Sequence, residues 1–394
     1  MRSWIDENTG RRVRQLTDFP GSASMGYFRK PKHLPDGFLL VGSSNPYFGN
    51  VSINPASGEL RSLRIPSGHG VIRIDHAAGK LWHVGVDREK YPDARKWFRV
   101  NDAMPALNIC EYDFAAGTST TIGSTPEGAP SYPISISADL THIVMAKYQQ
   151  NLRHAPTPDD LDLLAFWRFF DRPRSGELFT CHIQTQQIES IFQSEGYMPI
   201  HIEFSPTDAN LIRYAQDTYD AFEQRVWMMN RDGSDRRPIR PQQFGELVTH
   251  EFWWRDGQCV AFKYQDRRGD PTLRTLPWAE YSPIPTQFGL ADTTGREIYL
   301  SDPINHYHTH IYVSPDGRKL CGEGTDGHSF VYAANFDRSS TTVDFKPLAT
   351  IHTKYQPFSA GQKVGAGFSQ DGRWVVYNDK VDGRFQICAV EADV

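Results

Sequence analysis

The stretch HIYVSPDGRKLCGEG, residues 310–324, decides the fold, because it joins two apolar runs through a polar turn that ends in Asp-Gly. A tight polar turn between two runs of strand length is typical of a β-hairpin. The pattern recurs with the turns HLPDG (33–37), IRIDHAAG (72–79), SISADL (135–140), FSPTDA (204–209), WWRDG (253–257), VSPDG (313–317) and FSQDG (368–372). The sequence therefore contains seven copies of one structural unit.

Most units carry a second hairpin after the first, as in LFTCHIQTQQIESIF and VWMMNRDGSDRRPI, which predicts a four-stranded sheet in each unit. The turn aspartates lie between 39 residues (Asp36 to Asp75) and 69 residues (Asp139 to Asp208) apart, which suits propeller blades with loop insertions. We therefore predict an all-β, seven-bladed β-propeller that forms a single domain over residues 1–394. A pair of β-sandwiches is the alternative, but it would not explain seven equivalent turns.

The two ends of the chain predict how the ring closes. The last unit ends one strand short, after RFQICAVEADV (384–394), and RRVRQLTD (11–18) is a strand that precedes the first turn. Pairing these two strands would complete the last blade and remove a long exposed sheet edge.

Composition and charge exclude several classes of partner. The chain has 42 Lys and Arg against 47 Asp and Glu, with no long run of either sign, so we expect no nucleic acid partner. No apolar stretch reaches the roughly 18 residues that a membrane span needs, and the first residues are charged, so we expect a cytoplasmic protein without membrane contact. The five cysteines lie far apart without a CxxC pair, which argues against a disulfide framework and against a zinc cluster. Nothing in the sequence indicates an oligomeric state.

Residues at a fixed offset before each turn should lie at one level of the central channel, because the innermost strand of a blade leads into its turn. Four of the seven positions are histidine, although the whole chain has only 14. We therefore predict a channel mouth lined by imidazoles, and the alternative for any one histidine is a structural hydrogen bond to a backbone carbonyl. Six or seven residues before the turn aspartates stand Arg29 or Lys30, His69, Tyr132, His201, His250, His310 and Gly365.

Imidazoles and basic residues without a facing pair of carboxylates suit proton abstraction from an anionic substrate. The chain has no GxSxG elbow and no phosphate-binding loop. Removing a proton next to a carboxylate builds an enolate-like dianion, which a cation aimed at that carboxylate stabilises. An arginine fork or a divalent metal can supply the cation. The arginine candidates are Arg225, Arg174 and Arg29, and a lone arginine is more often a solvated surface residue.

Three segments, HIEFSPTDANLIRYAQD (201–217), QRVWMMNRDGSDRRPI (224–239) and VTHEFWWRDGQCVAF (248–262), resemble the oligogalacturonate lyases, which are seven-bladed propellers of pectin degradation. The resemblance extends weakly over the whole chain, and THEFW is its most specific motif. It implies a β-elimination that splits short uronate oligomers without water. It also implies that His250 is the proton-abstracting base and that Arg225 assists at the carboxylate. We assign substrate binding to His201, His310, His69, Tyr132, Arg174 and Lys363.

The resemblance also implies a manganese ion, with His310 as one ligand. Two further histidine ligands of the family belong to an HPH-type motif before the last turn, where this chain has Lys363, Val364 and Gly365. A manganese site of the family kind is therefore doubtful, unless His306, His308 or His69 supplies the missing ligands. Lys363 is a candidate replacement for the charge of the metal. The family's HEGP stretch is replaced here by AQDTYD (215–220), so contacts to the leaving sugar should differ.

Three functional hypotheses follow, each with a small acidic oligosaccharide or a protein as partner. The first is a lyase that acts on short, oligogalacturonate-like uronate oligosaccharides. The second keeps the chemistry but changes the uronate glycoside. The third is a non-catalytic propeller that binds a saccharide or a protein, which the missing metal ligands favour. The presence of His201, His250, Arg225 and His310 opposes this third hypothesis.

Overall fold

Seven antiparallel sheets form the blades of a β-propeller, which confirms the predicted fold. The computed structural model describes residues 2–19, 21–25, 33–43, 51–66, 69–87, 90–91, 104–150, 174–217, 223–254, 257–270, 284–304, 307–325, 329–352 and 364–394. Every regular element in these ranges is a strand. Four of the candidate residues, Arg29, Lys30, His306 and Lys363, lie outside the described ranges.

The first four blades each contain four consecutive strands. Blade one contains β3 (Ala23–Ser24), β4 (Leu39–Ser43), β5 (Val51–Ile53) and β6 (Leu60–Ser62). Blade two contains β7 (Gly70–Asp75), β8 (Lys80–Val86), β9 (Leu107–Asp113) and β10 (Thr118–Ser124). Blade three contains β11 (Pro133–Ile136), β12 (His142–Gln150), β13 (Arg174–His182) and β14 (Ile188–Glu195). Blade four contains β15 (Met198–Phe204), β16 (Leu211–Asp217), β17 (Val226–Asn230) and β18 (Arg237–Pro238).

Blades five and six also contain four consecutive strands each, whereas blade seven takes strands from both ends of the chain. Blade five contains β19 (Glu246–Trp253), β20 (Cys259–Asp266), β21 (Gln287–Asp292) and β22 (Glu297–Leu300). Blade six contains β23 (Tyr307–Val313), β24 (Lys319–Thr325), β25 (Ser329–Asn335) and β26 (Lys346–Thr350). Blade seven contains β27 (Gly367–Phe368), β28 (Trp374–Val381) and β29 (Arg384–Glu391), followed outward by β2 (Arg12–Gln15) and β1 (Arg2–Ile5).

Strand β2 closes the ring, as the sequence predicted. It pairs with β29 in the register Val13↔Val390 and Gln15↔Cys388, and β1 then covers its outer edge. Val13 is buried in the largest apolar cluster, together with Val390 and Tyr377. Strand β2 therefore joins the apolar core of the last blade rather than lying on its surface.

We expect Val13→Asp to lower the free energy of unfolding by about 3 kcal/mol or more, because it leaves a charge buried in this cluster. Arg12→Asp is the matched control, since Arg12 is the exposed neighbour on the same strand. Urea unfolding followed by tryptophan fluorescence measures both variants. Equal stability of the two variants would show that β2 does not close the ring in solution.

The turns that identified the repeat are held by one recurring set of bonds. The hydroxyl of Ser314 donates to the carboxylate of Asp316 at 2.5 Å, and the amide of Lys319 donates back to the same hydroxyl at 2.9 Å. Ser369 makes the same contact with Asp371 at 2.5 Å. Serine and aspartate are favoured in such turns because their short side chains bond the local backbone. This explains why a Ser-x-Asp pattern marks the end of an inner strand.

The strand before each turn is the innermost strand of its blade. Strand β7 lies beside β11, β11 beside β15, and β19 beside β23, so the inner strands surround a central channel. The two innermost strands of blade five, β19 and β20, are buried along nearly their whole length, whereas β6 and β10 at outer edges are largely exposed. Neighbouring blades therefore cover both faces of each inner strand.

No helix of sufficient length and hydropathy to cross a bilayer is found in the described part of the chain.

Candidate active site

The inner strands pair irregularly with their neighbours at the level where the sequence predicts the ring of histidines. Strands β7, β11, β15, β19 and β23 each contain a β-bulge or a comparable shift. His201 and His250 fall inside two of these irregularities and have φ angles of 55° and 52°. A left-handed backbone is unfavourable for residues other than glycine, and bulges re-aim side chains beside functional sites. The two histidines are therefore held in orientations that a regular strand would not allow.

Glu251 is the centre of the buried polar contacts around these histidines. Its Oε1 atom lies 2.6 Å from Nδ1 of His201 and accepts a hydrogen bond from Nη1 of Arg213 at 3.0 Å. Its Oε2 atom lies 3.7 Å from Nε of Arg225. Three side chains from blade four thus converge on one carboxylate that belongs to blade five.

The Glu251 side chain is fully buried, at 0 % exposure. Burial alone would raise the pKa of a carboxyl, but His201, Arg225 and Arg213 together hold the pKa of Glu251 well below its usual range. Glu251 is therefore an anion at neutral pH. Its charge fixes the orientation of His201 and the position of Arg225.

His250 directly precedes Glu251 in the chain and contacts a histidine of the next blade. The ring centroids of His250 and His310 are 4.4 Å apart in an edge-to-face arrangement. Nδ1 of His310 is hydrogen-bonded to Oε1 of Glu323, the residue directly opposite it on β24. That bond fixes the ring of His310, so that Nε2 is the nitrogen directed away from Glu323.

We name the set formed by His201, Arg225, His250, Glu251 and His310 the imidazole cluster. Three of its members are histidines that the sequence placed in the ring of blades; His201 and Arg225 both contact Glu251, and His250 contacts His310. The exposures of His250 and His310 are only 8 % and 1 %. Buried imidazoles that lie beside a cation can accept a proton from a bound anion.

Two other residues of the predicted ring, His69 and Tyr132, make their contacts with blade two instead. Nδ1 of His69 lies 2.9 Å from Nδ1 of His83, and burial lowers the pKa of His83 to about 4. The hydroxyl of Tyr132 donates to the carbonyl of Val84 and accepts from the amide of Gly70 at 3.0 Å. His69 and Tyr132 therefore make their described polar contacts within blades two and three.

Of the other residues named from the sequence, Arg174 and His308 have side chains outside the described part of the structure. Arg174 begins β13, and Gly365 has a φ of 58°, in the left-handed region that glycine adopts readily. Val364 is buried in the apolar core. Within the described ranges, three suitable ligand atoms come together only in a group apart from His310. The described side chains around His310 therefore do not by themselves form a manganese site.

Sequence reasoning missed four charged residues of this region. Glu251 and Glu323 bind His201 and His310, and only Glu323 could have been found from hairpin register, since it lies opposite His310 on the next strand. Arg213 is fully buried and bridges Glu251 to Glu203. Lys263 is buried on β20 opposite Thr249, one residue before the proposed base. Buried positions of a central β-strand are usually apolar residues, so no sequence signal marked Arg213 or Lys263 as buried.

A separate cavity of about 520 Å³ lies toward the turn end of the inner strands. It is lined by Arg73, Glu203, Trp253, Tyr312 and Pro315, among others, and by no member of the imidazole cluster. We name it the distal cavity. Glu203 connects the two regions, because it lines the distal cavity and binds Arg213, which in turn binds Glu251.

Comparison with known proteins confirms the family resemblance. Residues 89–270 match the family model described as oligogalacturonate lyase. The chain is 23% identical over 241 residues to an oligogalacturonide lyase of Pectobacterium atrosepticum and 23% identical over 235 residues to an oligogalacturonate lyase of Dickeya dadantii. Each match covers 57% of this chain and 57% of the relative, so the chain spans little more than half the length of the curated relatives it matches.

Two solved structures share the fold over the whole chain. One is described as an oligogalacturonate lyase in complex with manganese, with a TM-score of 0.70 and 18% identity. The other is an oligogalacturonate lyase from Vibrio parahaemolyticus, with a TM-score of 0.71 and 18% identity. Both alignments cover 100% of this chain and 96% of the neighbour. At this identity the likeness establishes the propeller architecture, and the manganese belongs to the description of the first neighbour.

Proposed function

We propose that this relative of the oligogalacturonate lyases is itself a lyase, which splits short uronate oligosaccharides by β-elimination. The observation that carries the proposal is the edge-to-face contact of His250 with His310, beside Arg225 and the buried anion Glu251. The proposal places the imidazole of His250 and the guanidinium of Arg225 in one buried site. A proton next to a carboxylate can be removed where both groups act on the same sugar.

The proposed reaction uses His250 as the base. Its imidazole takes the proton from the carbon next to the uronate carboxylate, and the electron pair left behind forms the carbon–carbon double bond. The bond from the neighbouring carbon to the glycosidic oxygen breaks, and that oxygen takes up a proton as the second sugar leaves. No water is consumed, which distinguishes this reaction from hydrolysis.

Arg225 is the proposed partner of the carboxylate. Its guanidinium would bind the uronate carboxylate and stabilise the negative charge that builds up there as the proton leaves. Glu251 supports this role by holding the guanidinium in position, because its carboxylate lies 3.7 Å from Nε of Arg225. Glu251 is therefore a positioning residue, and it keeps the guanidinium of Arg225 and the ring of His201 in fixed orientations.

His310 has a different role in the proposal. With its Nδ1 bonded to Glu323, its ring packs against the ring of His250 and restricts how that base can turn. A base that is already held in one orientation loses less conformational entropy when the substrate binds. His201, His69, Tyr132, Arg174 and Lys363 remain proposed substrate contacts.

The proposal is tested by ultraviolet absorbance, because elimination creates a double bond conjugated to the carboxylate. Purified protein is incubated with digalacturonate and with a panel of other uronate disaccharides. We expect rising absorbance with at least one of them, and the preferred sugar decides between the galacturonate and other uronate alternatives. A flat trace across the panel, with or without added manganese, would contradict the lyase and favour a saccharide-binding propeller.

We expect the elimination rate to survive removal of divalent metals. The described residues around His310 form no three-ligand metal group, and arginine can supply the charge that a metal would otherwise give. The rate is measured after dialysis against EDTA and again after addition of manganese. A loss of more than about tenfold that manganese restores would contradict this expectation.

A further inference from the structure

We propose that His69, His83 and Cys110 form a binding site for a zinc-type divalent cation inside blade two. One ligand atom from each residue, an imidazole nitrogen or the thiol sulfur, lies within 4.8 Å of the other two. All three residues are buried. The site goes beyond the proposed lyase activity, because His83 and Cys110 have no part in that activity and His69 enters it only as a proposed substrate contact.

The strand register brings the three side chains to one face. His83 on β8 lies directly opposite Cys110 on β9, so both side chains point to the same side of the sheet. His69 precedes β7, and its ring lies over Gly85 on β8, where an added Cβ would come within 2.1 Å of the ring. Residues 83 and 85 share a face of β8, because side chains alternate along a strand. Glycine at 85 is therefore what allows the ring of His69 to reach His83 and Cys110.

The hydrogen bonds place one nitrogen of each histidine beside the other and hold the ring of His83 through its second nitrogen. Nε2 of His83 lies 2.6 Å from the hydroxyl of Ser119, and Nδ1 of His83 lies 2.9 Å from Nδ1 of His69. A ligating histidine typically bonds a second group through its other nitrogen, and Ser119 has that position here. Two nitrogens bound to one tetrahedral zinc ion are roughly 3.3 Å apart, so the rings need to separate by only a few tenths of an ångström.

The donor set selects the kind of metal. One thiolate and two imidazoles suit zinc, whereas manganese prefers oxygen ligands. Three protein ligands leave the fourth tetrahedral position for a water molecule. The bound cation would take Cys110 as its thiolate and release the thiol proton to solvent. Because burial raises the pKa of Cys110, that thiol remains protonated until a cation binds.

This site differs from the sequence-based expectation, which argued against a zinc cluster because no CxxC pair is present. The ligands stand at positions 69, 83 and 110, on three separate segments of one blade, so no local spacing reveals them. Only the pairing of β7, β8 and β9 brings them together.

Cobalt(II) spectroscopy tests the site, because cobalt replaces zinc and gives visible and near-ultraviolet bands. Metal-free protein is titrated with cobalt under reducing conditions. We expect one equivalent to produce a thiolate-to-cobalt charge-transfer band together with the visible bands of a four-coordinate ion, and we expect one equivalent of zinc to remove both. Absence of the charge-transfer band in the wild-type protein would overturn the proposal.

Variants then assign the ligands. Cys110→Ser should lose the charge-transfer band, and Gly85→Ala should weaken cobalt binding at least tenfold by displacing the ring of His69. Cys388→Ser, a matched change of a buried thiol in blade seven, should bind cobalt as the wild type does. An unchanged band in Cys110→Ser would contradict the assignment. These readouts require no substrate, so failure of the zinc site and failure of the proposed lyase can be told apart.

Discussion

Replacing His250 by alanine should reduce kcat of the elimination by roughly a thousandfold, which is within the range of a lost general base. The ring of His250 packs against the ring of His310, which is itself held by Glu323. The variant should therefore fold and still bind a uronate disaccharide through Arg225. Absorbance assays give kcat, and calorimetry gives the dissociation constant of the disaccharide.

The matched control is His182→Ala. His182 lies on β13, and its Nδ1 atom accepts bonds from turn amides of its own hairpin, away from the imidazole cluster. This variant should keep kcat within about twofold, since it touches no proposed catalytic group. If His250→Ala and His182→Ala have the same kcat as the wild type, His250 is not the base.

Replacing Glu251 by glutamine should lower the free energy of unfolding by about 3 kcal/mol or more, because it leaves the buried cation of Arg213 without its anionic partner at that position. Activity should fall as well, through kcat rather than KM alone, because His201 and Arg225 lose the group that orients them. Urea unfolding and steady-state kinetics measure the two effects separately.

The pH dependence of stability gives a second measurement on this variant. The pKa of Glu251 is lowered in the folded protein from its ordinary value of 4.5, so the unfolded state takes up the proton first as the pH falls. The stabilisation by this carboxylate is therefore complete above pH 4.5 and is lost at lower pH. In Glu251→Gln this part of the acid sensitivity should be absent.

Asp344→Asn is the control for both measurements, because the ion pair of Asp344 with Lys346 is largely exposed. Its loss should change the free energy of unfolding by less than about 0.5 kcal/mol. Equal stability and an equal acid profile for Glu251→Gln and Asp344→Asn would show that Glu251 does not organise the site.

The architecture was predictable because its determinants are local and repeated. Seven hairpin turns with Ser, Pro, Asp and Gly at similar offsets are visible in the sequence, and each turn fixes the strand before it. The ring closure by β2 was also predictable, since the unpaired strand near the start of the chain can pair with the last blade, which lacks one strand. The level at which His201, His250 and His310 stand followed from the same offsets.

The partner of His201 was not predictable because it depends on a contact between blades. His201 meets Glu251 across 50 residues of sequence, and the bulges that turn His201 and His250 leave no local sequence mark. A fully buried arginine such as Arg213 also contradicts the usual expectation for a strand. Likewise, the proximity of His69 to Cys110 depends on strand register and not on spacing.

The most direct test of the proposed active site is a crystal structure of the His250→Ala variant with digalacturonate bound. We predict a uronate carboxylate within about 3 Å of the guanidinium of Arg225, with the adjacent carbon facing the position of the removed imidazole. A disaccharide bound only in the distal cavity, or with its carboxylate directed away from Arg225, would contradict the proposed site.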